Sequence, residues 1–211
     1  PLDLGLGWLV AAHVIFAGLG MIALARRLGL GQLGQAVSAL AFSLSGYLIA
    51  RTSFITINNA VAWLPWLIWA GEGLARNRRF KEALLLGLFL GLQLLAGHAQ
   101  IAWYSILLVT AWAIWQSVKY GISNTKYVAR VAYSVLRSGL LLCSSLLLAF
   151  SLAAIQLLPT AELLSQSQRA GGGDFAFIAN YSYWPWRLIT LAAPDFFGTP
   201  ATGDYRGYGN Y

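Results

Sequence analysis

Apolar residues run along this chain in long blocks, parted by short polar or basic breaks. A membrane-spanning helix needs about 20 mostly apolar residues. The blocks predict six spans: about Gly5 to Ala25, Gln35 to Ala50, Ala60 to Ala75, Ala83 to Ala96, Ile101 to Val118 and Ser138 to Leu158. The interval from Ala83 to Val118 carries no charge over 36 residues and is broken only by Gly97-His98-Ala99-Gln100. It is too long for one span and suits two. The break therefore predicts the tip of a helical hairpin, with a histidine and a glutamine at one membrane surface. Pro65 lies inside the third block, where the missing backbone donor predicts a kink. A polar linker, Lys119 to Arg137, precedes the sixth block.

After Leu158 the pattern changes to a mixture of charge, Gly, Pro and aromatics. Within it, Tyr183 to Ala193 is apolar over 11 residues. That is too short to span and predicts a helix lying in the membrane interface, anchored by Trp184, Trp186 and Arg187. The expected architecture is all-α: a polytopic helical bundle over residues 1–158, then an outer loop region with a short interfacial helix over 159–211.

Composition agrees. The chain is 58% hydrophobic and only 10% charged, whereas soluble domains carry about 25% charged residues. The net charge of +7 would point to nucleic acid in a soluble protein. Here the basic residues sit between apolar blocks and read as topology signals instead, so no nucleic-acid partner is expected. Cys143 is the single cysteine, which excludes a disulfide within the chain. No Cys/His metal spacing occurs. The first residue is Pro1, and the sequence reads as a piece of a longer protein.

The breaks also set an expected orientation. Those after blocks one, three and five hold ten Lys/Arg, and those after blocks two and four hold only Arg51. The positive-inside rule puts the ten in the cytoplasm. Arg51, Asn58, Asn59, His98, Gln100 and everything after Pro159 then lie outside. Trp63, Trp66 and Trp69, and likewise Trp112 and Trp115, read as aromatic belts at the two interfaces. Gly18, Gly20, Gly87 and Gly91 read as close helix contacts.

The expected outer face gathers the candidate chemistry. His98 suits a general base, a phosphate donor or a metal ligand, or else a histidine satisfied by a neighbouring helix. If the helix runs on through the tip, Gln93, Gly97, Gln100 and Tyr104 share one face. Arg51 and Arg169 offer paired donors to a phosphate, or snorkel at the interface. Glu162 is a first-turn carboxylate or a partner for Arg169. Asp195 orients a sugar hydroxyl, binds a cation, or serves its turn after Pro194. Asn58 and Asn59 cap the third span or touch substrate. Gln156 closes the sixth span. No P-loop, GxSxG, HExxH or Rossmann fingerprint is present.

Five segments in series carry a resemblance: RRLGLGQLGQAVSALAFSLSGYLIA (26–50), NNAVAWLPWLIWAGEGL (58–74), LAGHAQIAWYSILL (95–108), AAIQLLPTAELLSQSQR (153–169) and LAAPDFFGTP (191–200). Together they cover nearly the whole chain, which resembles the bacterial YfhO-like membrane proteins. That family is regarded as glycosyltransferases of the GT-C type, multi-span enzymes that use a lipid-phosphate sugar on the outer side. The resemblance implies a bacterial cytoplasmic membrane location. It implies a polyprenyl-phosphate-linked sugar as donor and a cell-wall polymer or glycolipid as acceptor. It also implies a catalytic acid in an outer loop upstream of Pro1. The matching positions within the chain are His98, Gln100, Gln156, Pro159, Glu162 and Asp195. A divalent metal would suit the leaving phosphate, and the sequence shows no ligand set for one. Two other readings remain: a multi-span transporter or lipid flippase, and a non-catalytic membrane assembly subunit.

Overall fold

A computed structural model of the chain describes residues 2–124, 128–167, 175, 179, 182, 184–199, 201 and 203–207. The described residues are helical throughout their regular structure. The helices are α1 (Leu2–Arg27), α2 (Gln32–Ser43), α3 (Gly46–Ala50), α4 (Ile55–Ala62), α5 (Leu64–Asn77), α6 (Phe80–Leu95), α7 (Ala99–Asn124) and α8 (Val128–Ser165), with a 3-10 helix over Pro185–Leu191. By contacts the chain forms two units, Pro1–Leu158 and Pro159–Tyr211.

Among the described residues, four stretches are long and apolar enough to cross a membrane: Gly5–Arg27, Gln32–Ala50, Ala99–Ser123 and Val128–Ser165. Two of the six expected spans fall short of that. α6 has 16 residues, about 24 Å at the helical rise, against a hydrocarbon core of about 30 Å. The third block is divided, because Trp63 both ends α4 and opens α5. The expected kink at Pro65 is in fact a helix start. Pro65 occupies the first turn of α5, where its missing N–H leaves no bond unmade. The expected linker after α7 is also mostly helix, since α7 runs on to Asn124 and α8 resumes at Val128.

The hairpin forms as the charge-free interval predicts. α6 is closed by Gly97 at φ +81, a left-handed conformation that glycine adopts without a Cβ penalty. The helix does not run on through the tip. The same device follows α1, where Gly29 takes φ +85.

Between helices in lipid there is little hydrophobic drive, so close packing and internal hydrogen bonds hold the bundle. The expected glycine contacts exist. A Cβ on Gly87 would sit 2.8 Å from the carbonyl oxygen of Ser145, and one on Gly91 would sit 3.1 Å from Leu152 Cβ. α6 and α8 therefore touch backbone to backbone. The larger core joins Leu67, Leu74, Leu86, Leu90, Val109 and Ala149 from α5 to α8, all 2% exposed or less. A second core joins Ala17, Leu48, Val61 and Ala62.

Trp63, Trp66 and Trp69 pack against other aromatic rings of the bundle. Phe16 packs on Trp63 at 4.8 Å and stacks on Trp66 at 5.2 Å, and Phe89 lies 5.6 Å from Trp63. The Trp66 indole fills the notch that Gly20 leaves in α1 and donates to the carbonyl of Phe16 at 3.0 Å. These rings join α1, α5 and α6. Of the pair on α7, Trp115 is exposed and Trp112 is hydrogen-bonded inside the bundle.

Candidate functional site

The hairpin tip is held from three sides. His98 precedes α7, and its Nδ1 accepts the N–H of Ile101 at 3.3 Å, so the ring serves as a helix cap. That assigns the ring proton to Nε2. A Cβ on Gly97 would lie 3.4 Å from Nε2 of Gln156 and 3.9 Å from Thr56 Cγ2. The tip thus abuts α8 and the first turn of α4.

Beside it opens an apolar groove of about 310 Å³, walled by Phe42, Tyr47, Leu48, Val61, Ile101 and Tyr104, among others. Ligand pockets usually begin near 300 Å³ and combine apolar walls with a few placed polar groups. Two tyrosines of this wall carry sequence-predicted residues. The Arg51 guanidinium lies over the Tyr47 ring at 4.7 Å. Gln100 donates from Nε2 to the Tyr104 hydroxyl at 2.9 Å. Ser105, also on the wall, accepts from the fully buried Gln93, whose Nε2 also reaches the Ala60 carbonyl, each at 2.8 Å. Arg51, His98, Gln100 and Gln156 are therefore gathered around one end of the first unit.

Other candidates differ from expectation. Asn58 does not cap a helix, because Phe54 holds that place. It is 1% exposed inside α4, and both its amide atoms lack a hydrogen-bond partner. Glu162 and Asp195 belong to the second unit. Glu162 is exposed on α8. Asp195 is exposed in a turn closed by the Gly198 N–H on its carbonyl at 2.9 Å. Arg169 lies outside the described residues. The interfacial segment is a seven-residue 3-10 helix with Trp186 and Leu188 about half exposed. Trp184 stacks on Trp186 at 5.1 Å, and Arg187 donates to the Tyr205 hydroxyl at 2.6 Å.

A second polar centre lies at the other end of the hairpin helices, and the sequence pattern missed it. Glu72, 1% exposed, accepts the Trp112 indole N–H at 3.0 Å on Oε2 and the Tyr120 hydroxyl on Oε1. Glu82, 4% exposed, accepts from Asn77 at 2.7 Å. Arg27 crowds the same side of Gly73 as Glu82 Oε2, lies 4.0 Å over Trp69, and donates to the Trp69 carbonyl. Counted as basic loop residues, Arg26 and Arg27 look equivalent, yet only Arg27 is built into the bundle. The signal available was the spacing of Trp112, Gln116 and Tyr120, which puts three polar-tipped residues on one face of α7.

Among the described residues no three His, Cys, Asp or Glu side chains gather as a metal site requires. A family model described as bacterial membrane protein YfhO matches residues 2–204. No curated protein and no solved structure matches the chain.

Proposed function

Because the chain belongs to the YfhO family of bacterial membrane proteins, we propose that its tip-side groove receives the lipid of a polyprenyl-phosphate sugar. The protein then serves transfer of that sugar to a cell-envelope acceptor on the outer membrane face. One observation carries this reading: Arg51 and Gln100 each engage a tyrosine of the same apolar wall. An isoprenoid chain matches a wall of aromatic and aliphatic side chains. A guanidinium at its mouth matches the phosphate, since Arg presents paired donors to phosphate oxygens. Gln100, His98 and Gln156 supply hydrogen-bonding groups at the level of the sugar. Transfer needs a base at the acceptor hydroxyl and positive charge at the leaving phosphate. Arg51 fills the second role.

The test is transfer from a radiolabelled polyprenyl-phosphate sugar in vesicles holding the full-length protein, with Arg51→Ala and Gln156→Ala compared. Loss of about tenfold or more in the Arg51 variant is expected, because a charge-assisted bond to phosphate is worth about 1.5–3 kcal/mol. Unchanged turnover in both variants removes the groove mouth from the reaction.

A transporter or lipid flippase is the second reading, and Glu72 favours it. A buried carboxyl group within a membrane helix bundle is a frequent mark of a translocation path. Glu72→Gln in proteoliposomes separates the two readings: transport would fall, whereas glycosyl transfer at the other end would persist.

A further inference from the structure

The turn between α5 and α6 holds an arginine in two unusual situations. Arg78 ends α5 at φ +51 and is the non-glycine residue with positive φ among the described residues. Helices commonly use glycine there, because a Cβ is unfavourable in the left-handed region. In addition, Nε and NH2 of Arg78 are buried and have no hydrogen-bond partner. Those two nitrogens share one edge of the guanidinium, the edge that grips a phosphate or carboxylate with two parallel N–H bonds.

No carboxylate of the turn is free to meet that edge. Glu82 is taken by Asn77 and faces Gly73 beside Arg27. Glu72 is taken by Trp112 and Tyr120. The surroundings are instead basic: Arg76, Arg79 and Lys81 are all exposed. Phe80 between them is 62% exposed, an apolar side chain suited to the acyl region. The first N–H groups of the 16-residue α6 also open onto this turn.

We infer that the 76–81 turn binds the phosphate of an anionic phospholipid headgroup, with the Nε/NH2 edge of Arg78 as its paired donor. Lipid binding swings the half-buried side chain so that this edge, unpaired inside the turn, meets the headgroup, Phe80 enters the hydrocarbon, and Arg76, Arg79 and Lys81 supply the surrounding positive field. This stands apart from the glycosyl-transfer reading and does not depend on which leaflet the turn meets.

Full-length protein in nanodiscs of phosphatidylcholine doped with phosphatidylglycerol tests it, with retained lipid counted by native mass spectrometry. Arg78→Gly is the main variant, because glycine accepts φ +51 and so preserves the turn. Arg78→Lys keeps the charge and loses the two-bond edge. Wild type is expected to retain phosphatidylglycerol about tenfold better than Arg78→Gly, with Arg78→Lys between them, and inorganic phosphate at millimolar concentration is expected not to displace it. Equal retention by wild type and Arg78→Gly overturns the inference. Displacement by inorganic phosphate overturns the assignment to a lipid.

Discussion

Trp112 donates its indole N–H to Oε2 of Glu72 at 3.0 Å, joining α7 to α5 through a carboxylate that is 1% exposed. Tyr120, two helical turns further along α7, donates to the other oxygen. A buried carboxyl group is tolerated only when it is paired or fully hydrogen-bonded. This one has a donor on each oxygen, and it fixes the rotation of α7 against α5.

Glu72→Ala is therefore expected to lower stability by about 2–4 kcal/mol, because it strands two buried donors. The triple variant Glu72→Leu, Trp112→Phe, Tyr120→Phe removes both sides of each bond and is expected to recover most of that loss. Thermal unfolding in detergent reads both. A triple variant no more stable than the single one would mean that the hydrogen bonds are not what Glu72 contributes.

The glycines divide by what surrounds them. Gly87→Ala places a Cβ 2.8 Å from the backbone oxygen of Ser145, which cannot move aside as a side chain can. A loss of about 1–3 kcal/mol is expected from the forced separation of α6 and α8. Gly139→Ala, also helical, meets nothing within 4 Å. It is expected to be neutral or to stabilise by about 0.5–1 kcal/mol through helix propensity. Equal effects at the two positions, measured by unfolding midpoint, would refute the contact between α6 and α8.

How much of this was legible follows from what one-dimensional spacing encodes. The hairpin was readable, because a 36-residue uncharged run cannot be one span and Gly97 is the residue that closes a helix cheaply. The gathering of Arg51, His98, Gln100 and Gln156 at one end was readable from the alternation of spans. The polar centre around Glu72 was not. Glu72 sits near Arg76, Arg78 and Arg79 and reads as one more boundary charge, while its donors lie 40 and 48 residues away on another helix. Asn58 was misread as a cap because a polar residue opening an apolar block usually is one. The ring packing of the tryptophans was not legible, because sequence spacing gives depth in the bilayer and not azimuth. At that depth Phe16 and Phe89 were available to cover them.

Arg26 and Arg27 offer a direct contrast between topology and packing. Arg27→Gln breaks the contact with the Trp69 ring and carbonyl and leaves Glu82 without its neighbouring cation. A loss of about 1–3 kcal/mol is expected. Arg26→Gln, at an exposed position, is expected to change stability by less than about 0.5 kcal/mol. Both variants remove one basic residue from the same loop, so orientation is expected to shift equally. Cysteine accessibility in intact cells measures orientation, and unfolding in detergent measures stability. Equal stability losses would return Arg27 to the status of a loop charge.

His98 carries two jobs in this account, and one substitution parts them. As a cap, its Nδ1 satisfies the Ile101 N–H at the start of α7. Removing a cap costs about 1 kcal/mol, and asparagine is among the best replacements at that position. As a site residue, it is proposed to hydrogen-bond at the level of the sugar, and asparagine lacks the reach of an imidazole. His98→Asn is therefore expected to unfold at the wild-type midpoint while transfer from the lipid-linked sugar falls about two- to tenfold, the effect of losing one hydrogen bond worth about 0.5–1.5 kcal/mol. His98→Ala is expected to lose both stability and transfer. Should asparagine restore transfer as well as stability, the cap is the whole of the histidine's contribution. The proposed chemistry would then rest on Arg51, Gln100 and Gln156 alone.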